Sequence, residues 1–225
     1  MPKISKIMAH EIIDSRGVPT IRAYLGMDTG RYVKAEIPSG KALSKYEPQE
    51  IRDGDPARYE GQGVQVALRY INDLIGPKLI GASVDRIHEI DKWLLEADGT
   101  ENRSKLGSNT ILAISLLLLK AGAKDAGVPV YVYINQLYKS RHEEAPVIQN
   151  IPAPIVNLIN GGSHGSKTLD FQEFHIIPST SLSFAKALEH SVAIYQNIQH
   201  VLEYRNVGTF SLATGRFYPS ATNKH

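Results

Sequence analysis

Two turn signals near the N-terminus constrain this chain more than any other feature. Asp14-Ser15-Arg16-Gly17 and Asp28-Thr29-Gly30 punctuate three extended runs. The first holds Ile4, Ile7, Ile12 and Ile13, the second covers residues 19–25, and the third covers residues 32–37. Runs rich in β-branched and aromatic residues, bounded by Asp/Gly breaks, read as strands, and a short Asp-Thr-Gly connection reads as a hairpin. Pro38-Ser39-Gly40 then ends the third run and starts a loop. The chain therefore opens with a three-stranded antiparallel meander, which must bury one face against another layer.

The layer that follows is helical. Val64, Ala67, Leu68, Ile71 and Ile75 recur at helical spacing, and Gly76-Pro77 is expected to end that element. Ile87, Ile90 and Leu94 mark a second helix, stopped at Asp98-Gly99. Ser108 or Asn109 is expected to cap an apolar helix from Thr110 to about Lys124, terminated by Gly127 and Pro129. Strands followed by a run of helices predict an α+β domain with the helices on one sheet face. Residues 135–151 read as a polar connector carrying Pro146. After it, residues 151–159 form a buried-strand run ending in Asn160-Gly161-Gly162, and residues 171–177 form a second. Phe184, Ala187, Leu188, Val192, Tyr195, Ile198, Val201 and Leu202 then trace one long amphipathic helix. The segment from Arg205 onward has no clear period and contains Gly208, Gly215 and Pro219, so it is expected to be irregular or disordered.

Composition removes several function classes. The formal net charge is +2 with both signs interspersed, which gives no polybasic argument for nucleic acid or an anionic membrane. There is no cysteine, so disulfides, thiolate metal sites and cysteine nucleophiles are excluded. The longest apolar stretch, residues 111–119, is interrupted by Ser115 and falls well short of the roughly 20 residues of a membrane span. The opening Met1-Pro2-Lys3-Ile4-Ser5 runs straight into a strand pattern without a signal-peptide core, so a cytoplasmic location is expected.

Several ordered segments carry a resemblance to one family. They are Glu11-Ile12-Ile13-Asp14-Ser15-Arg16-Gly17-Val18-Pro19-Thr20, Pro38-Ser39-Gly40, Ile51-Arg52-Asp53, Asp98-Gly99-Thr100-Glu101-Asn102, and Leu106-Gly107-Ser108-Asn109-Thr110-Ile111-Leu112. Further on come Asn157-Leu158-Ile159-Asn160-Gly161-Gly162-Ser163-His164 and Gln172-Glu173-Phe174. Together they resemble the enolases, the phosphopyruvate hydratases of glycolysis, from the first residues to about Gly208. The resemblance implies an α+β cap domain over residues 1–135, a connector at 136–151, and the start of an α/β barrel at 152–204, followed by the tail at 205–225. On that reading the barrel is incomplete, with two strands and one long helix.

Enolase chemistry abstracts a weakly acidic proton α to a carboxylate and expels a β-hydroxyl, so it needs a base, an acid and divalent metal. The resemblance implies Mg2+ and a small phosphorylated substrate. It assigns Ser39 to the mobile-loop metal position, with Gly40 beside it in the substrate loop. It assigns His164 to a loop that closes over substrate, Glu173 to a substrate-side carboxylate linked to acid catalysis, and Gln172 to the position next to it. Arg16 is implied as a dimer contact, in a homodimer or a heterodimer with full-length enolase. Read without the family, Ser39 is turn chemistry, His164 a solvated loop histidine and Glu173 a strand-edge charge.

Departures from the family pattern count too. The family's loop reads Ser-Gly-Ala-Ser-Thr-Gly where this chain has Ser39-Gly40-Lys41-Ala42-Leu43-Ser44. The family continues Asn-Val-Gly with Asp-Glu-Gly-Gly, whose glutamate is the general acid, where this chain has Asn206-Val207-Gly208-Thr209-Phe210-Ser211. The lysine base and the metal carboxylates belong to later barrel strands. The expectation is a chain that does not turn over 2-phosphoglycerate by itself. The alternative is a non-catalytic paralogue that binds an intact enolase subunit or another protein.

Overall fold

A computed structural model describes residues 1–40, 46–144, 146–161 and 169–206, and the backbone of 208–211 and 216–219. The chain divides into two units, Met1–Ile148 and Gln149–His225.

In the first unit, β1 (Ile4–Ile13), β2 (Pro19–Met27) and β3 (Tyr32–Glu36) form an antiparallel sheet in the order β1-β2-β3. The expected meander is therefore present. Its register explains how the sheet takes a helical layer. Ile7, Leu25 and Val33 align across the three strands, and so do Ala9, Ala23 and Ala35. Both rows face inward and are buried. The alanine row is shallow, which lets α4 (Ser108–Asp125) lie close with Ile114, Leu117, Leu118 and Ala121, all fully buried. At the β3 edge, Lys120 and Lys124 donate to the carbonyls of Lys34 and Tyr32 at 2.9 and 2.8 Å, blunting an exposed strand.

α3 (Ile87–Asp98) ends as expected at Gly99, whose φ of 68° suits a residue without a Cβ. Asp98, read as a structural turn residue, accepts from the Thr100 and Leu106 N–H groups at 3.0 and 2.7 Å and from the Thr100 hydroxyl.

Three local expectations are corrected. Gly76-Pro77 does not end the first helix. α1 (Gln65–Arg69) passes through a π-turn, Tyr70–Ile75, into α2 (Gly76–Leu79). The wide turn restarts the hydrogen-bond ladder, so Pro77 sits at the beginning of a new turn, where a missing N–H costs little. Neither Ser108 nor Asn109 caps α4, because the cap position is Gly107. The Asn109 side chain instead holds Ile51, accepting from its N–H and donating to its carbonyl, both at 3.1 Å. Finally, a helix runs into the expected connector: α5 (Val130–Lys139). Its Val-Tyr-Val-Tyr-Ile opening favours strand by propensity, but Tyr133 packs against Gly122 of α4, and tertiary contact decides.

In the second unit, β4 (Val156–Asn160) and β5 (Glu173–Ile176) pair antiparallel, followed by α6 (Phe184–Arg205), capped by Ser183. Both strands are shorter than the apolar runs that announced them. The tail expected to be irregular contains β6 (Gly208–Ser211) and β7 (Arg216–Pro219), an antiparallel hairpin. β7 also pairs in parallel with β4, so the sheet order is β5-β4-β7-β6. The open four-stranded sheet agrees with a partial barrel.

Candidate functional site

The residues singled out in the first unit converge on the stem of the loop after β3. Asp14 organises the turn that carries Arg16. Its carboxylate accepts from the Val18 N–H at 2.9 Å and the Arg16 N–H at 2.8 Å, and from the Arg16 guanidinium at 3.0 and 3.1 Å. The Val18 N–H does most to hold the Asp14 carboxyl below its usual value; burial pushes the other way, and the Arg16 N–H and guanidinium add to the lowering. Arg16 Nη2 also donates to the Ser39 carbonyl at 2.7 Å. A second arginine reaches the same residue: Arg52 Nη2 donates to Ser39 Oγ at 2.8 Å and to the Glu50 carboxylate. The other arm of Arg52 donates to the carbonyls of Pro19 and Gln62 at 2.6 and 2.8 Å. Glu50 completes the stem by accepting the Gly40 N–H at 2.8 Å.

Ser39 and Gly40 are thus held by Arg16, Glu50 and Arg52. The last two were not singled out from sequence, although Ile51-Arg52-Asp53 was read as part of a family motif. The available signal was a charged pair two residues apart beside a loop, which is weak by itself. Lys41, Ala42, Leu43 and Ser44 lie outside the described residues.

A neighbouring cluster supports the helical layer. Arg58 forks onto Glu11 and lies 3.4 Å from Asp53. Asp53 accepts from the Gln65 and Val66 N–H groups at 3.0 and 2.8 Å, supplying the start of α1 with an acceptor that its own cap residue lacks. A Cβ at Gly63 would lie 2.2 Å from the Asp53 carboxylate, so this packing requires glycine.

In the second unit, Glu173 begins β5, half-exposed, with His175 Nε2 3.1 Å from its carboxylate. Gln172 lies just before it, and its carbonyl accepts the Gly161 N–H at 2.8 Å. A Cβ at Gly161 would meet the Phe171 carbonyl oxygen at 2.2 Å, which accounts for one glycine of the Asn-Gly-Gly segment. A bulge between Asn157 and Ile159 resets the alternation of β4. Asn157 stands opposite His175, and Asn160 stands opposite Glu173. Directly opposed residues share a face, so four polar residues three positions or fewer apart fall on one side of the strand pair. The Oδ1 atoms of Asn157 and Asn160 are buried and accept no hydrogen bond among the described residues. His175 was missed from sequence; its i, i+2 spacing from Glu173 was the signal. His164 lies outside the described residues.

Comparison with known proteins gives this arrangement its family. Residues 4–134 match the model of the enolase N-terminal domain, and residues 148–220 match that of the enolase C-terminal TIM barrel domain. The chain belongs to the enolase family. It is similar to Enolase 1 of Methylococcus capsulatus, with 38% identity over 217 residues, which is 96% of this chain and 49% of that protein. The chain spans about half the length of that relative.

Enolases are generally magnesium-dependent, so the Ser39 position can be tested for such an ion. Magnesium takes oxygen ligands, usually including carboxylates. Here both Ser39 oxygens face guanidinium groups, Oγ facing Arg52 and the carbonyl facing Arg16. An ion bound there would have to displace both donors, each already paired with a carboxylate, Arg16 with Asp14 and Arg52 with Glu50. The stem as folded does not fit magnesium at Ser39. Among the described residues, no group of three or more His, Asp and Glu side chains converges on a cation position, and no helix is long and apolar enough to cross a membrane.

Proposed function

We propose that this chain serves the enolase reaction, the reversible dehydration of 2-phosphoglycerate to phosphoenolpyruvate in glycolysis, and that its 225 residues alone do not carry it out. The observation that supports the first part is the ordered match of both enolase domain models, with Glu173 and Gln172 retained at the start of β5. The observation that supports the second is the occupation of both Ser39 oxygens by arginines, so that the loop stem is held away from a cation-binding arrangement. In this reading Glu173 keeps a carboxylate on the substrate-facing strand, held by His175, and no step is drawn through a metal at Ser39. Purified chain supplied with 2-phosphoglycerate and magnesium should form no phosphoenolpyruvate. Sustained formation that co-elutes with the 225-residue chain refutes the second part.

A second reading has its own support. Lys41 and Leu43 stand where the family loop has small residues, which is unfavourable for tight closure over a phosphate. A non-catalytic member that docks on an intact enolase subunit in the cytoplasm accommodates that change. Arg16, with a side chain 38% exposed, is the contact assigned to this dimer. Light scattering on a mixture with full-length enolase should then show a heterodimer, weakened by Arg16→Ala. Two unassociated species would dismiss the docking reading.

A further inference from the structure

We propose that the tail hairpin β6–β7 occupies the ring-closing seat beside the first barrel strand, sealing β4 against strand addition by another chain. In an eight-stranded barrel each strand lies between its predecessor and successor, and the last returns to the side of the first. The match to the enolase barrel begins at residue 148, so β4 and β5 open that ring. A strand next in sequence would extend the sheet beyond β5. β7 does otherwise: it lies on the opposite side of β4, pairing Ile159 with Phe217 in parallel.

The chain direction makes this possible. α6 ends at Asn206 in the left-handed conformation, with φ of 50°, and β6 follows within two residues. β7 then returns antiparallel to β6, through the pairs Gly208↔Pro219, Thr209↔Tyr218, Phe210↔Phe217 and Ser211↔Arg216. The return strand therefore runs in the direction of β4, the orientation of neighbouring strands in a parallel barrel. At Ile159 the β4 edge, which would otherwise be unpaired, acquires a partner strand from the same chain. Any polypeptide bringing further strands must displace this hairpin or add at the outer edges, β5 or β6.

This inference goes beyond the proposed reaction and rests only on the barrel match, so its failure leaves that reading standing. The absence of native cysteine permits a direct test. Adjacent strands lie about 4.8 Å apart, within disulfide reach, and successive residues point to opposite faces. The pair Ile159→Cys with Phe217→Cys should form an intramolecular bridge at least tenfold faster than Ile159→Cys with Tyr218→Cys. Equal rates, or bridges found only between chains, overturn the proposal. A second measurement guards against misfolding of these variants. In hydrogen exchange, Phe217→Pro should lower the protection of the Val156–Asn160 amides at least tenfold and leave β1 to β3 unchanged. Unaltered protection of Val156–Asn160 also overturns it.

Discussion

Replacing Arg52 should loosen the first unit. The side chain is only 16% exposed and serves the Pro19 and Gln62 carbonyls, the Ser39 hydroxyl and the Glu50 carboxylate. Neutral hydrogen bonds contribute about 1 kcal/mol net, and those involving charged groups somewhat more. Some of the acceptors would be rehydrated in Arg52→Leu, so the expected loss is about 3 kcal/mol. Arg52→Lys keeps the charge, but a single ammonium cannot span acceptors on both arms of the guanidinium fork, and it should recover about a third of that loss. Trp93 is the sole tryptophan, lies in α3 and packs against the core of the first unit. Its fluorescence therefore follows this unit alone during urea unfolding. A loss of about 3 kcal/mol corresponds to a fall in Tm of about 6–12 °C for a domain of this size. If both variants unfold within about 0.5 kcal/mol of the parent chain, below the typical worth of one hydrogen bond, the clamp described here is wrong.

Further expectations follow from the core and its charges. Leu94, fully buried in α3, should lose about 3 kcal/mol on substitution by alanine, read from the same Trp93 transition. Gly122→Ala would gain helix propensity in isolation, but its Cβ would fall 2.3 Å from Tyr133 Oη, so a net loss of about 1–2 kcal/mol is expected. A stability equal to or above that of the parent would show that α5 is not seated on α4 through this contact. Asp98 and Asp91 should respond to pH with opposite signs. Burial raises the Asp98 carboxyl, but hydrogen bonds from Thr100, Leu106 and Lys105 outweigh it and leave the group below its ordinary value. Its contribution is therefore full above the unfolded value of about 3.9 and vanishes as pH falls through the folded one, so Asp98→Asn should flatten the acid limb of the stability profile. Burial pushes the Asp91 carboxyl up, against the Ser115 hydroxyl and His88, and ionising it costs stability as pH rises through and beyond the carboxylate range. Asp91→Asn should be more stable than the parent at pH 7, and the difference should vanish well below the unfolded carboxyl value of about 3.9, where the parent side chain is neutral in both states. Equal stability at pH 7 would show that no uncompensated charge is buried there.

Much of the architecture was legible in the sequence because its signals were local. The meander followed from turn chemistry at Asp14 and Asp28, and α3 and α4 followed from spacing. What escaped was set by tertiary contact. The Val130 to Ile134 stretch looks like strand and forms helix because Gly122 makes room for Tyr133. Gly76-Pro77 looks like a stop, and the π-turn before it carries the helix through. The tail carries no periodicity, and its strands acquire meaning only through pairing with β4. The candidate site divides in the same way. Ser39, Gly40, Gln172, Glu173 and Arg16 could be named from family motifs, whereas the hold of Arg16, Arg52 and Glu50 on the loop stem and of His175 on Glu173 could not. Arg52 is distant from any recognised turn in sequence, and His175 matters only because strand geometry sets it beside Glu173.

In the proposed reading this chain holds enolase-family residues in a form that needs more than its own 225 residues for turnover. The most direct measurement is the rate of phosphoenolpyruvate formation from 2-phosphoglycerate and magnesium, followed across a size-exclusion profile of the purified chain. No activity is expected in the fractions that hold the chain. A peak of activity that tracks its concentration and disappears with Glu173→Gln would contradict it.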